Sequence, residues 1–239
     1  MAYHLKHGPM KNELIGELAS YYKALGFRKF KIAGGSIGFE KHLEGMRVLT
    51  IYTSNSYGMS GGEYKITFKA VEDILKEIKH PEFIEEDNLP ITIRDRITHP
   101  IEQNNGKYFF HIESFSVEES EDLESFVFKY EEYVNKIIYY INNEGADFIE
   151  HYSYLPNVLA EMDKLKSEGR SWSEILEGGG GHLFKGLIIS KLCNDSNYEH
   201  KVELVGKICH EIKVNTEEWL SYYEKYKLHL ESLEPIYNI

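Results

Sequence analysis

The spacing of apolar residues changes near residue 116 of this 239-residue chain, and this change constrains the fold more than any other feature. Before it, apolar and polar residues alternate in short runs, as over residues 29–32 and 64–69, which is the pattern of half-buried strands. After it, apolar residues recur every three or four positions, which is the pattern of amphipathic helices. The sequence therefore predicts an α+β fold, with an N-terminal helix and antiparallel β-meander followed by a mainly α-helical C-terminal half.

The first half reads as one helix followed by strands that short turns connect. Apolar residues at helical spacing predict a helix over residues 9–25, with Pro9 in its first turn and Gly26 just beyond its end. Short turns between successive strands favour antiparallel pairing over crossover connections. We expect strands over 29–32, 37–39, 48–53, 64–69, 91–97 and 108–114, a polar, flexible loop over 54–62 and a short helix over 71–78.

The second half reads as a series of helices. Ser116 and Glu119 have the spacing of a capping box, and the apolar stripe from Leu123 to Ile141 predicts a long helix that ends near Gly145. The two halves, 1–115 and 116–239, are either separate or packed as one domain, since helices can cover a sheet that is apolar on one face. Further helices are expected over 155–168, 182–193, 198–212 and 216–231.

Acidic side chains are concentrated in the second half. The formal net charge is −12, and residues 121–239 hold 22 acidic and 12 basic side chains. Such a surface repels phosphate backbones, so we expect no nucleic-acid partner. It suits a basic protein partner, although an acidic face that only keeps the chain in solution explains the same composition.

Two features predict a cytoplasmic protein that does not associate with a membrane. No stretch of about 18 uncharged apolar residues occurs, and the first residues lack the apolar core of a signal peptide. The two cysteines, Cys193 and Cys209, fall in helix-like stretches, where we expect buried and reduced thiols.

Four consecutive glycines, Gly178–Gly181, come directly before a long apolar stretch. Backbone N–H groups at a helix N-terminus can bind an anion, which makes this run a candidate ligand site. It lacks the Gly-Lys-Ser/Thr ending of a P-loop, and residues 172–176 before it read as a short helix or turn, where a dinucleotide site needs a strand. A flexible connector between two helices explains the same glycines. The candidate ligand residues are Gly180, Gly181, His182 and Lys185.

A second candidate site lies on the last two predicted strands. Alternation places Arg94 and Arg96 on one face of the first strand, and His111 and Glu113 on one face of the second. If the strands pair, these groups converge and can bind a carboxylate or transfer protons. Cross-strand ion pairs on a solvated sheet face explain the same pattern.

No local motif indicates a metal or a cofactor. The His-Glu-x-x-His and Cys-x-x-Cys patterns are both missing from the sequence, although it contains 11 histidines. We therefore expect no metal and no cofactor, and we assign no catalytic residue.

Two short stretches carry a resemblance to known proteins. Leu25-Gly26-Phe27 ends the first predicted helix and opens the meander, and Phe184-Lys185-Gly186-Leu187 begins a late helix that runs to Cys193. In these places the chain resembles small bacterial domains of unknown function, some of which occur near toxin–immunity loci. The resemblance implies a cytoplasmic α+β protein that binds another protein, and it carries over no catalytic residues.

The aromatic content also favours a protein that binds another protein. Tyrosine and phenylalanine, which occur 18 and 12 times, dominate the energetics of cores and of protein interfaces. We predict a non-catalytic protein-binding module of the immunity type. The alternative is a small-molecule or anion-binding protein, or an enzyme, that uses the Gly178–Gly181 helix N-terminus or the Arg94/Arg96/His111/Glu113 cluster.

Overall fold

A computed structural model describes residues 2–32, 36–54, 58–78, 90–95, 115–116, 123–178, 181–211 and 216–238. The chain forms two compact units, each of them built from two segments. Unit 1 comprises Met1–Ile66 and Asp95–Glu150, and unit 2 comprises Thr67–Arg94 and His151–Ile239. These bounds differ from those of the two halves that the sequence indicates.

The α+β class predicted from the sequence is confirmed, with a helix first, a sheet next and helices after it. The helices are α1 (Ala2–Ala24), α2 (Lys69–Glu77), α3 (Leu123–Asn142), α4 (Glu144–Tyr152), α5 (Leu155–Ser167), α6 (Gly181–Leu192), α7 (Tyr198–Glu211) and α8 (Thr216–Glu231), with a short 3-10 helix at Trp172–Glu174. The strands are β1 (Arg28–Lys31), β2 (Ile37–Leu43), β3 (Met46–Ser54), β4 (Gly58–Phe68), β5 (Ile93–Arg94) and β6 (Phe115–Ser116).

The strands form one sheet in the order β1-β2-β3-β4-β5, and β6 pairs with β4. The pairs β1–β2 and β2–β3 are antiparallel, as the short turns predict. The last two residues of β4, Thr67 and Phe68, belong to unit 2. The strand predicted over 91–97 is shorter than expected, while 108–114 lies outside the described residues.

The polar loop predicted over 54–62 is wrong for its second part, because Gly58–Gly62 belong to β4. Gly61 and Gly62 have φ angles of 100° and 113°, which side chains rarely allow. A Cβ atom on Gly61 would lie 2.1 Å from the carbonyl oxygen of Ile51 in β3. Gly61 therefore marks a close approach of two strands.

One predicted helix cap is also wrong. Ser116, expected as a helix cap, lies in β6, and Glu119 is outside the described residues. The long helix ends near Gly145, as expected, because α3 ends at Asn142, and Gly145 itself lies in the first turn of α4. The glycine is needed there because a Cβ atom would lie 2.7 Å from the ring of Tyr64.

Aromatic rings fill the core of unit 1. Tyr22 of α1 is fully buried and stacks on Phe39 of β2, with ring centroids 4.5 Å apart. Its hydroxyl lies 2.8 Å from that of Tyr52 in β3. Burial raises the pKa of both phenols well above the ordinary value, so both remain neutral. Leu18 and Tyr22, two members of the apolar stripe of the first helix, are thus buried, as the periodicity predicts.

Helix α6 is central to unit 2, and it is buried along almost its whole length. Gly186 in its second turn lets Trp172 approach, because a Cβ atom there would lie 2.5 Å from the indole ring. The four late helices α5 to α8 confirm the elements expected from the apolar spacing. Both cysteines are free and buried, also as expected.

Candidate functional site

The glycine run follows a short antiparallel contact between two segments of unit 2. Leu176 and Ile93 form a β-bridge, and the amide of Glu177 donates to the carbonyl of Thr92 at 3.0 Å. The segment predicted as a short helix or turn is therefore the 3-10 helix plus this bridge. Gly178 then turns the chain with a φ of 116°.

Helix α6 begins at Gly181, directly after two glycines that lie outside the described residues. His182 Nδ1 is 3.1 Å from the carbonyl oxygen of Gly178, so the imidazole closes the turn before the helix. Gly180, one of the predicted ligand residues, is one of those two glycines.

Lys185, predicted as an anion ligand, is buried. Its ammonium donates to the carbonyl oxygen of Ile91 and lies 3.4 Å from Glu72 Oε1. Both partners are inside unit 2, and the Glu72 side chain is as buried as that of Lys185. The structure thus places this cation in an internal ion pair.

The same carboxylate anchors a chain of hydrogen bonds. Thr92 Oγ1 donates to Glu72 Oε1 at 2.7 Å and accepts from the amide of Phe68 at 2.9 Å. A helix side chain, a strand side chain and a strand amide are thereby connected in the interior. Such a network rigidifies a core when all its members are satisfied.

Arg94 is the one member of the Arg94/Arg96/His111/Glu113 cluster that falls within the described residues. Its Nε lies 2.9 Å from Glu177 Oε2, and both side chains are about 30% exposed. Because Glu177 precedes Gly178, the structure brings together two sites that the sequence suggested separately. It pairs the arginine with a carboxylate at the entrance to the glycine run.

Lys201 is a second buried cation, which sequence reasoning missed, and it pairs with the buried side chain of Asp195 and with the partly exposed one of Asp163. It is 1% exposed, and its Nζ lies 2.5 Å from Asp163 Oδ1 and 2.6 Å from Asp195 Oδ2. Burial, with a further contribution from Asp195, raises the pKa of Cys193 to about 12. No signal in the sequence distinguishes Lys201 from Lys207, the exposed lysine of the same helix.

Two serines match the sequence motif of a hydrolase nucleophile, because Ser36 and Ser60 both lie in Gly-x-Ser-x-Gly runs. A hydrolase nucleophile needs the sharp turn between a strand and a helix. Ser60 lies inside β4, and Ser36 directly precedes β2. Neither serine therefore has the setting that this chemistry requires.

In unit 1, two tyrosines of α3 form hydrogen bonds with backbone groups of β4. The hydroxyl of Tyr140 accepts from the amide of Tyr64 at 2.9 Å and donates to Asp95 Oδ2 at 2.6 Å. The hydroxyl of Tyr133 lies 3.4 Å from the carbonyl oxygen of Gly61. Side-chain hydroxyls thus satisfy strand groups that a neighbouring strand would otherwise bind.

Burial, with smaller contributions from Glu144 and Glu63, raises the pKa of Asp95 to about 6, although the hydrogen bond from Tyr140 lowers it. One oxygen of Glu63 is buried without a hydrogen-bond partner. The other lies 3.1 Å from Lys65 Nζ. These carboxylates escaped sequence reasoning because they come from separate parts of the chain.

The outward face of α3 and α4 is polar apart from one aromatic ring. Tyr139 is 60% exposed, although the neighbouring Tyr140 is 3% exposed. The other exposed side chains along this face are Glu131, Glu132, Asn135, Lys136, Asn143 and Asp147.

Within the described ranges, no group of three or more His, Cys, Asp or Glu side chains is placed to hold a metal ion. In the same parts of the chain, no helix combines the length and the apolar character that crossing a membrane requires. No protein-family model, no curated protein and no solved structure matches this chain. Its function is therefore inferred from its own residues.

Proposed function

We propose that this protein is a non-catalytic protein-binding module and that its partner is a basic protein. The specific form that we favour is a cytoplasmic bacterial inhibitor of the immunity type, which binds a toxic protein and blocks it. The resemblance of residues 25–27 and 184–193 to domains near toxin–immunity loci supports this form.

The observation that carries the proposal is that the two buried lysines form ion pairs with carboxylates of the same chain. Lys185 pairs with Glu72, and Lys201 pairs with Asp163 and Asp195. Removing one partner from a buried pair leaves an uncompensated charge, so these lysines serve the fold. A lysine that binds substrate or acts as a base would instead have to present its amine to a ligand.

The thiol of Cys193 also argues against a catalytic role. Cys193 is buried, and its pKa of about 12 keeps it protonated at neutral pH. The thiolate is the nucleophilic form, so a raised pKa disfavours a catalytic role.

Large apolar side chains on the surface supply what a protein interface needs. Aromatic residues are enriched at interfaces, where one ring can supply a large share of the contact. The acidic surplus of residues 121–239 adds attraction for a basic partner. Six such side chains are exposed in the described parts of the chain: Leu25, Leu43, Tyr139, Tyr154, Leu228 and Ile236.

The test is capture followed by reconstitution. The full chain is immobilised, a captured protein from cells of its source is purified, and the two are mixed again in a calorimeter. We expect a stoichiometric complex with a basic protein, whose affinity falls as salt rises, because screening weakens charge pairs. For an immunity-type inhibitor, complex formation also abolishes the toxicity of the partner.

Two results would contradict the proposal. One is the absence of any protein that rebinds after purification. The other is a saturable small ligand that perturbs the amides of Gly181 and His182, which would favour the anion-binding alternative.

A further inference from the structure

We infer that the partner binds the outward face of α3 and α4, and that this face selects an arginine- or lysine-rich protein segment. The inference rests on the proposed function and names its surface and partner chemistry. We call this surface the Tyr139 face, and it consists of Glu131, Glu132, Asn135, Lys136, Tyr139, Asn143 and Asp147.

The Tyr139 face is continuous across the break between the two helices. The amide of Asn143 donates to the carbonyl of Tyr139 at 3.1 Å, and the amide of Asp147 donates to that of Asn143 at 2.9 Å. These are helical i to i−4 hydrogen bonds, so the helical course persists through Asn143. Residues four apart therefore stack on one side, with Tyr139 in the middle.

The opposite side of α3 is fixed in place. Tyr133, Ile137 and Tyr140 are all buried, and the hydroxyl of Tyr140 bonds to the amide of Tyr64 and to Asp95. A surface held in this way loses little conformational entropy when a partner binds. The face is thus a rigid platform.

The composition of the face suits protein recognition. Tyr139 offers a large, amphipathic ring at low entropic cost, because a tyrosine has only two rotatable side-chain bonds. Asn135 provides a donor and an acceptor that adapt to a partner, while the side-chain amide of Asn143 donates to the carbonyl oxygen of Tyr139 at 2.7 Å. Tyrosine with asparagine is the combination that antibody binding loops use for the same purpose.

The charges of the face select the partner. Glu131 and Glu132 lie on one side of Tyr139 and Asp147 on the other, each roughly 10–12 Å along the helical course from it. The one cation of the face, Lys136, is 3.1 Å from Glu132. A guanidinium or ammonium can lie over the tyrosine ring while neighbouring cations meet the carboxylates.

The experiment uses the full chain and a synthetic arginine–glycine repeat peptide as probe, followed by fluorescence anisotropy at about 50 mM salt. An acidic glutamate–glycine repeat of equal length is the peptide control. The test variants are Tyr139→Ala and the pair Glu131→Gln with Glu132→Gln. The matched controls are Tyr154→Ala, an exposed tyrosine of unit 2, and the pair Glu199→Gln with Glu203→Gln on α7.

We expect the basic peptide to bind and the acidic one not to bind. Each test variant should weaken binding about tenfold, since one lost anchor or one lost charge pair is worth about 1.4 kcal/mol. The controls should stay within about twofold of the natural chain. Circular dichroism verifies that each exposed substitution leaves the fold unchanged.

Three results would overturn the inference: no binding of the basic peptide, equal binding of the acidic peptide, or equal weakening by the two glutamate pairs. The last would mean that net charge alone attracts the probe. A captured partner that binds the Tyr139→Ala variant with unchanged affinity would place the interface elsewhere, while the proposed protein-binding function would stand. Failure to find any protein partner would instead remove the function itself.

Discussion

The hydroxyl of Tyr140 donates a 2.6 Å hydrogen bond to the carboxylate of Asp95, and it accepts one from the amide of Tyr64. One side-chain oxygen thus joins α3 to the edge of β4 and to the residue that follows β5 in the chain. Tyr140 and Tyr64 are both buried, so the amide of Tyr64 depends on this hydroxyl for its hydrogen bond.

Replacing Tyr140 with Phe should destabilise unit 1 by about 1–3 kcal/mol, because the amide of Tyr64 and the carboxylate of Asp95 both lose a partner. Chemical denaturation measures this difference. The adjacent Tyr139, exposed at 60%, provides the control, and Tyr139→Phe should change stability by less than about 0.5 kcal/mol. Equal effects of the two substitutions would refute this role of Tyr140.

The buried Asp95 should make stability depend on pH. Its folded pKa is about 6, above the ordinary value of 3.8, so the folded state holds the proton more tightly than the unfolded chain. Its contribution to stability is complete below about pH 4 and is lost as pH rises through about 6. Asp95→Asn keeps an oxygen that accepts from Tyr140 and removes the ionisation.

We therefore expect Asp95→Asn to be more stable than the natural chain at pH 8, by about 1–2 kcal/mol, and this advantage to shrink at pH 4.5. Urea titrations at the two pH values measure both differences. Asp147→Asn, at an exposed position of the same unit, serves as the control for removing a carboxylate that is not buried. An advantage of the same size at both pH values would argue against the titration of Asp95.

The interaction between Lys185 and Glu72 should make a stabilising contribution to the free energy of unfolding, so that each residue depends on the other. Lys185→Met leaves a buried carboxylate without its cation, and we expect a loss of about 3–5 kcal/mol. The double variant with Glu72→Gln should lose less than the sum of the single losses, which a double-mutant cycle measures. Lys164→Met, at an exposed pair with Glu161, should cost under about 1 kcal/mol.

Gly186 should not tolerate even a methyl group. Alanine is the better helix former by about 1 kcal/mol, but its Cβ atom would lie 2.5 Å from the Trp172 ring. We expect Gly186→Ala to destabilise by about 1–3 kcal/mol in thermal denaturation. Gly16 in α1 has open space around its Cβ position, so Gly16→Ala should stabilise instead. A stabilising Gly186→Ala would show that the ring does not occupy this position.

Phosphate should leave the glycine run unaffected if the protein acts only by binding a protein. Lys185, the cation nearest to this helix N-terminus in the sequence, is held by Glu72 and Ile91. We expect amide NMR signals of Gly181 and His182 to show no saturable shift at millimolar phosphate. A saturable shift would establish the anion site that the glycines suggest.

Local patterns were sufficient to predict the α+β class and most helices. The apolar spacing identified α1 and α5 to α8, because each of these helices buries a face or its whole circumference. Glycines misled the prediction at 58–62, where a loop was expected and the residues belong to β4. Gly61 and Gly145 each serve a close approach, to β3 and to the Tyr64 ring, and a contact partner distant in sequence leaves no local pattern.

The sequence by itself determined the order of helices and strands, the acidic surplus and the burial of the two cysteines, since these follow from periodicity and composition. Only the tertiary structure decided which charged residues face inward. Lys185 shares α6 with the half-buried Lys191, and Lys201 shares α7 with the exposed Lys207. Lys185 and Lys201 are buried because Glu72, Asp163 and Asp195 come from other parts of the chain to meet them. The free energy of a charge depends on its surroundings, and folding, which brings remote residues together, creates those surroundings.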